Sequence, residues 1–286
     1  LSVEVAEQDH RDIVGSARRV RRIDQCGERL GRRQSAPENL GNAFVAHRAD
    51  LTVAEWDEIV WEHSTRYLAV APAELIEMLH VDMIGVQVAV AGERDEHVAH
   101  HLCRSAAMLS VFSAMTLGNL GDLPQARRWW RMANRLADQS ADPATMIWVR
   151  GKEIVRAQYE QLPLGAVLDL VGRAEPIAAI APVASRPGFA SGKAQALAMA
   201  GRKTEARTGL RQVHETFEQL PSQIADDRHS LLGHPSSCVL FTESYVYSYL
   251  GDYAAAATAQ QAAIAAYPAG YLRGPAQIEL QRALCL

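Results

Sequence analysis

The chain reads as an all-α protein, and three observations carry that reading. Apolar residues recur at three- and four-residue spacing along most of the sequence, no stretch alternates convincingly with a period of two, and glycine or proline breaks fall at helix-length intervals. Hydrophobic residues make up 48% of the 286, enough for a substantial core. The formal net charge of -4 gives no overall pull toward polyphosphate, so autonomous nucleic-acid binding is disfavoured.

Residues 1–50 are expected to form a basic helix and a linker, ahead of a helical repeat domain over 51–286. The stretch "RDIVGSARRVRRIDQCGERLGRR" sets eight arginines (Arg11, Arg18, Arg19, Arg21, Arg22, Arg29, Arg32, Arg33) against three acids, with Ile13, Val14, Ala17, Val20 and Ile23 roughly at helical spacing. Either a solvated amphipathic helix or a phosphate-contacting one fits this pattern, the solvated face being the commoner outcome. After a break over 39–50, Thr52 and Glu55 stand in capping-box spacing and open a helix with Trp56, Ile59, Val60, His63 and Tyr67 on one face. Pro72 ends that helix and starts the next, which runs to Gly92. Further breaks are expected at Gly121-Asp122, Ser140 to Pro143, Leu162-Pro163, Pro182 to Pro187, Gly201-Arg202, the long "LPSQIADDRHSLLGHPSS", Gly251-Asp252 and Pro268 to Gly270.

Three of these breaks share a context. Five residues after the glycine comes Ala126, Ala206 or Ala256, and seven before it Ala114, Ala194 or Ser244. Leu117, Leu197 and Tyr247 stand four before, Trp130, Leu210 and Gln260 nine after, and Ala133, Val213 and Ala263 twelve after. Such offsets describe a helical hairpin in which Gly121, Gly201 and Gly251 make a left-handed turn and the small residues let two antiparallel helices touch. The pattern resembles the tetratricopeptide repeat, and the third copy adds Pro268 after its second helix; Gln260 departs from the large apolar residue that the family prefers. The glycines lie 80 and then 50 residues apart (201 less 121, 251 less 201), so a degenerate pair is expected in the first gap, with Ile154 and Ala157 on one helix, Gln161-Leu162 at its turn and Ala166 on the other. The resemblance implies a superhelix of antiparallel pairs whose concave surface binds peptides, small ligands or protein segments. Trp148, Tyr245 and Tyr249, with Asn119, Lys152 and Gln195, are the candidate lining of that groove.

Motifs for chemistry are weak. "RPGFASGKAQ" fails as a phosphate loop, because only three residues separate Gly188 from Gly192 and Ala194 stands where Ser or Thr would hold magnesium; Pro187 reads instead as a helix start. His97 and His101 lie one helical turn apart, with Glu93, His100 and Cys103 nearby, a face open to zinc or nickel but more simply a solvated one. Asp226, Asp227, His229 and His234 share the longest loop with Ser230, Ser236 and Ser237, but no strained elbow fixes a serine, and the loop reads better as a segment beside a binding site. No catalytic residue, metal or cofactor is assigned, and the chain is expected not to be an enzyme. Cys26, Cys103, Cys238 and Cys285 lie far apart without paired spacing and read as reduced thiols of a cytoplasmic protein. Apolar runs such as that from Ile177 are too short to cross a bilayer, and neither a leader nor a membrane association is expected.

A narrower resemblance joins "DIVGSARRVRRIDQ", "LTVAEWDEIVWEHSTRYLAVAPAELIEMLHVDMIGVQVAV" and "GNLGDLPQARRWW". Together they are similar to the C-terminal region of actinobacterial Xre-type helix-turn-helix regulators, in which a DNA-binding head precedes a basic linker helix and a tetratricopeptide-like sensor. No helix-turn-helix pattern is visible in residues 1–50, so contact with DNA is expected only through a head not seen in this chain. The resemblance implies a homodimeric sensing module that takes a peptide or small-molecule signal. The alternative is a stand-alone scaffold that holds a protein partner.

Overall fold

Thr52 takes extended backbone and its hydroxyl accepts from the Glu55 amide, while the Glu55 carboxylate accepts from the Thr52 amide at 2.7 Å, which closes the expected capping box and starts helix α1 (Val53–Ala69). This is a computed structural model. It describes residues 50–286 apart from 161, 269, 270, 272 and 286. All but the last residue of the basic helix and linker expected over 1–50, Cys26 and the turn residue Gln161 lie outside the described residues. The described helices all belong to one compact unit, Val45–Leu286.

From α1 the chain is helical, and among the described residues there is no strand. Pro72 occupies the first turn of α2 (Pro72–Gly92), and Asp95 caps α3 (Glu96–Asn119) by accepting from two backbone amides. There follow α4 (Leu123–Gln139), α5 (Pro143–Tyr159), α6 (Leu164–Ile180), a short 3-10 turn at Val183–Ser185, α7 (Pro187–Met199), α8 (Lys203–Glu218), the single turn α9 (Ser222–Ala225), α10 (Ser236–Leu250), α11 (Tyr253–Ala266) and α12 (Arg273–Ala283). Each expected break therefore falls at a junction between helices, and the longest, Leu220 to Ser237, also encloses the single turn α9 and overlaps the first two residues of α10.

The three marked glycines carry positive φ of 82°, 69° and 73° at 121, 201 and 251. In every case the amide after the glycine donates at 3.0 Å to the carbonyl four residues before it: Asp122 to Leu117, Arg202 to Leu197, Asp252 to Tyr247. The glycine itself donates to the carbonyl three residues back, so each helix ends in the same left-handed cap, which a side chain at glycine would strain. Around these turns Ala114, Ala126, Ala133, Ala194, Ala206, Ala256 and Ala263 have no exposed surface. Alanine at the crossing points lets the paired helices approach. Gln260, the polar departure, is buried too, and its Nε2 donates to Ser248 Oγ at 3.2 Å.

Helices α1, α3, α5, α7, α10 and α12 form a consecutive series in which each meets the next. Between them α2, α4, α6, α8 and α11 each pack on both the preceding and the following member. The described core accordingly falls into three successive clusters. Trp56, Leu79 and Phe112 lie at the centre of the first, Ile147, Ile154 and Val167 of the second, and Leu197, Leu210 and Val246 of the third. A polar network ties α3, α4 and α5: Glu160 accepts from Trp130 Nε1 at 3.2 Å and from Arg156 Nε at 3.1 Å, and Arg156 Nη1 donates to Asn119 at 3.2 Å.

Helix α2 corrects the sequence reading of apolar length. Over 21 residues it is long and apolar enough to cross a bilayer by length and composition, because apolar residues averaged along a helix need not form one unbroken run. Here Leu75, Leu79, Met83 and Val86 face the first core cluster, and Asp82 at mid-helix is bonded to His63.

Candidate ligand site

The longest connection, between α8 and α10, does not lie loose on the surface. Asp227 folds it: one carboxylate oxygen accepts from the amides of His229 and Ser230 at 2.9 and 3.0 Å, and the other pairs with the Ser230 hydroxyl. Gly233 backs onto the Asp227 carbonyl so tightly that a Cβ would not fit. The folded loop then reaches across to α1 and α5. The Leu231 amide donates to the Ser64 carbonyl in α1 at 3.1 Å, and Lys152 Nζ in α5 donates to the Leu231 carbonyl at 3.0 Å. Leu231 and Leu232 pack against the first core cluster.

Beside this loop is a cavity of about 470 Å³, a size ordinary for small-molecule sites. Its walls are the last turns of α1 (Thr65, Arg66, Leu68, Ala69), Lys152, the loop from Asp227 to Pro235, Ser237 and Cys238 in the first turn of α10, and Tyr267, Pro268 and Tyr271 beyond α11. Nearby, the Arg273 guanidinium of α12 lies 4.8 Å from the ring centre of Tyr67 in α1.

Lys152 is the chemically pointed group here. Its ammonium lies 5.4 Å from the Trp148 ring centre, and among the described residues no ion pair reaches it. Burial pulls its pKa below the ordinary lysine value. Burial also pushes the Cys238 thiol up, partly opposed by Lys152, and raises the phenols of Tyr267 and Tyr271, so those walls present neutral donors. With Asp227 engaged inside the loop and Arg66 paired to Glu62, the remaining charges, Lys152 and Arg228, favour a ligand with a negative or strongly accepting group.

Of the six residues expected to line a groove, Lys152 alone lies on this cavity. Trp148 sits beneath it, edge-on to Phe112 with ring centres 6.1 Å apart. Asn119 is taken up by Arg156 and by Tyr67, to whose hydroxyl it donates at 2.9 Å. Gln195 and Tyr245 lie in the interior rather than on an open surface, with 1% and 3% exposure; Tyr245 stacks on the half-exposed Tyr249 at 4.6 Å. Tyr159 meets Tyr245 edge-on with ring centres 6.0 Å apart, and Phe241 at a tilt, so these rings form one aromatic cluster. The loop stands beside the cavity, as the sequence reading had it, whereas the α1 wall escaped that reading. The available signal was Leu231-Leu232, two adjacent leucines after the polar run from Asp226 to Ser230.

The other motifs are placed as follows. The rings of His97 and His101 touch edge to face with centres 4.7 Å apart, while Cys103 turns into the core, and among the described residues no group of three His, Cys, Asp or Glu could hold a metal ion. Pro187 stands in the first turn of α7, as its position implied. Cys103, Cys238 and Cys285 are free thiols.

His234 gives the loop a pH dependence. Its Nε2 is shut off from solvent without a partner, and burial, with help from the Lys152 charge, holds its pKa down to about 3 against an ordinary 6.5. Above 6.5 it is neutral in both folded and unfolded chains; below that the unfolded chain takes up a proton that the folded one refuses until about 3, so stability falls with falling pH across that window. Thermal melts at pH 7 and near 4.5 are expected to show a smaller acid loss for His234→Gln than for the parent chain. Equal losses would remove His234 as the cause.

Comparison with protein-family models, with curated proteins and with solved structures finds no match to this chain. The functional reading therefore rests on the residues themselves.

Proposed function

We propose that the chain is the ligand-sensing and dimerisation module of a transcriptional regulator, a tetratricopeptide-like array that takes a peptide or small signal molecule against its inner helices. The observation that carries this is the cavity around Lys152, walled by α1, the start of α10 and two non-helical segments. Support for the repeat reading comes from the three identical glycine caps and from the way each inner helix meets the next. Lys152 offers a ligand one buried cationic contact, and the aromatic and proline walls offer apolar area.

Coupling follows from where the loop is tied. A ligand that replaces Leu231 on Lys152 also loosens the Leu231–Ser64 bond, and so acts on α1, the first of the described helices. Such a ligand shifts the balance between two arrangements by its difference in affinity for them. DNA would be met only through a helix-turn-helix head joined to this module.

Native mass spectrometry of the chain purified from an extract of its own host tests the reading. The expected result is a dimer retaining a small molecule or peptide, and loss of that ligand from a folded Lys152→Met variant. A bare monomer that captures a specific protein would overturn it in favour of a scaffold.

A further inference from the structure

On the other side of α5 the chain builds a second concavity that the sensing role does not use. Two adjoining cavities of about 510 and 240 Å³ share Arg131, Glu153, Leu170 and Arg173. Their rim carries Arg127, Arg131 and Arg135, at four-residue spacing along one face of α4, with Arg150 from α5 and Arg173 from α6.

The charge there is unbalanced. Arg150 is paired with Asp138 at 2.6 Å, and Glu160 is taken by Arg156 and Trp130. That leaves Glu153 on the floor facing the other four guanidinium groups. It accepts from Asn134 at 2.8 Å, and burial raises its pKa even with Arg150 and Arg173 nearby, so it neutralises them poorly. Among the described residues Arg127, Arg131, Arg135 and Arg173 enter no ion pair. Four like charges around one hollow repel each other unless an anion joins them.

We infer that this hollow between α4 and α6 is a binding site for a compact oligophosphate, free or as the phosphate chain of a nucleotide. Three features select that class. Guanidinium forks match phosphate oxygens two at a time, whereas a single carboxylate satisfies only one fork. The arginines converge from three helices on a pocket instead of running out along a surface, and the α4 row spans only about 12 Å, short for a nucleic-acid backbone track. The hollow also has a floor, with Ile154 and Leu170 beside Glu153 to limit access of water. The site stands independently of the Lys152 cavity.

Isothermal titration of the full chain with inorganic tripolyphosphate, a nucleoside triphosphate and a short DNA duplex, each at about 0.1 M salt, tests it. Saturable one-to-one binding of tripolyphosphate is expected, weakened about tenfold or more in Arg131→Ala/Arg173→Ala and unchanged in Arg211→Ala on α8. Tighter binding of the nucleotide would name that source; equal affinity would mean that the phosphates alone are read. The exposed rim arginines leave the core untouched, so circular dichroism should be identical across variants. Full affinity in the Arg131→Ala/Arg173→Ala variant would place anion binding elsewhere, on the arginines before residue 34, and overturn the site. Binding of the duplex without tripolyphosphate would overturn it too.

Discussion

Asp82→Ala is expected to destabilise the chain by about 3–5 kcal/mol, the cost of leaving one partner of a buried pair alone. His63 Nε2 and Asp82 Oδ2 meet at 2.6 Å between α1 and α2, with side chains 0% and 6% exposed. Removing the carboxylate strands a buried imidazole whose Nδ1 already lacks a partner. Replacing both residues should cost far less, because His63→Leu/Asp82→Ala removes both desolvated polar groups and leaves neither of them buried without its partner. Urea unfolding of the two single variants and the double variant, with m unchanged, closes the cycle. A double variant as unstable as the sum of the single ones would show that the pair is not the unit that matters.

Gly151→Ala should cost about 3 kcal/mol, the upper end of overpacking penalties, although alanine is ordinarily the better helix former. A Cβ at 151 would lie 2.5 Å from the Phe189 amide nitrogen and 2.8 Å from the Gly188 carbonyl carbon. Both are backbone atoms of α7 and cannot swing aside, so α5 and α7 would have to separate. Across the same contact Gly188→Ala meets nothing nearer than 3.6 Å, and should stabilise by about 0.5 kcal/mol through the unfolded chain. Opposite signs at two facing glycines would be read directly from melting temperatures. A tolerated alanine at 151 would mean that the helices are less closely apposed than described.

Much of the helical layout was legible because the signals are local. A capping box, prolines in first turns and three glycine caps are set by residues within one turn of each other, and all lie where the sequence indicated. The alanines at fixed offsets from those glycines were legible for the same reason. Gly151 was not. Nothing in "WVRGKEIV" distinguishes a glycine pressed against another helix from one merely tolerated, since the partner backbone is 37 residues away (188 less 151). Gln195 and Tyr245 illustrate the same limit from the other side: a helical offset names a face, and the neighbouring helix decides whether that face is open.

The all-α class, the breaks between helices and the glycine-capped turns could be read from the sequence, because periodicity, caps and breakers act through neighbours along the chain. Tertiary structure alone decided that the α8–α10 connection folds inward onto Ser64 and Lys152, and that arginines from α4, α5 and α6 surround one hollow. Those sites join residues far apart in the chain, and their hydrogen bonds, burial and charge balance exist only once the helices have packed.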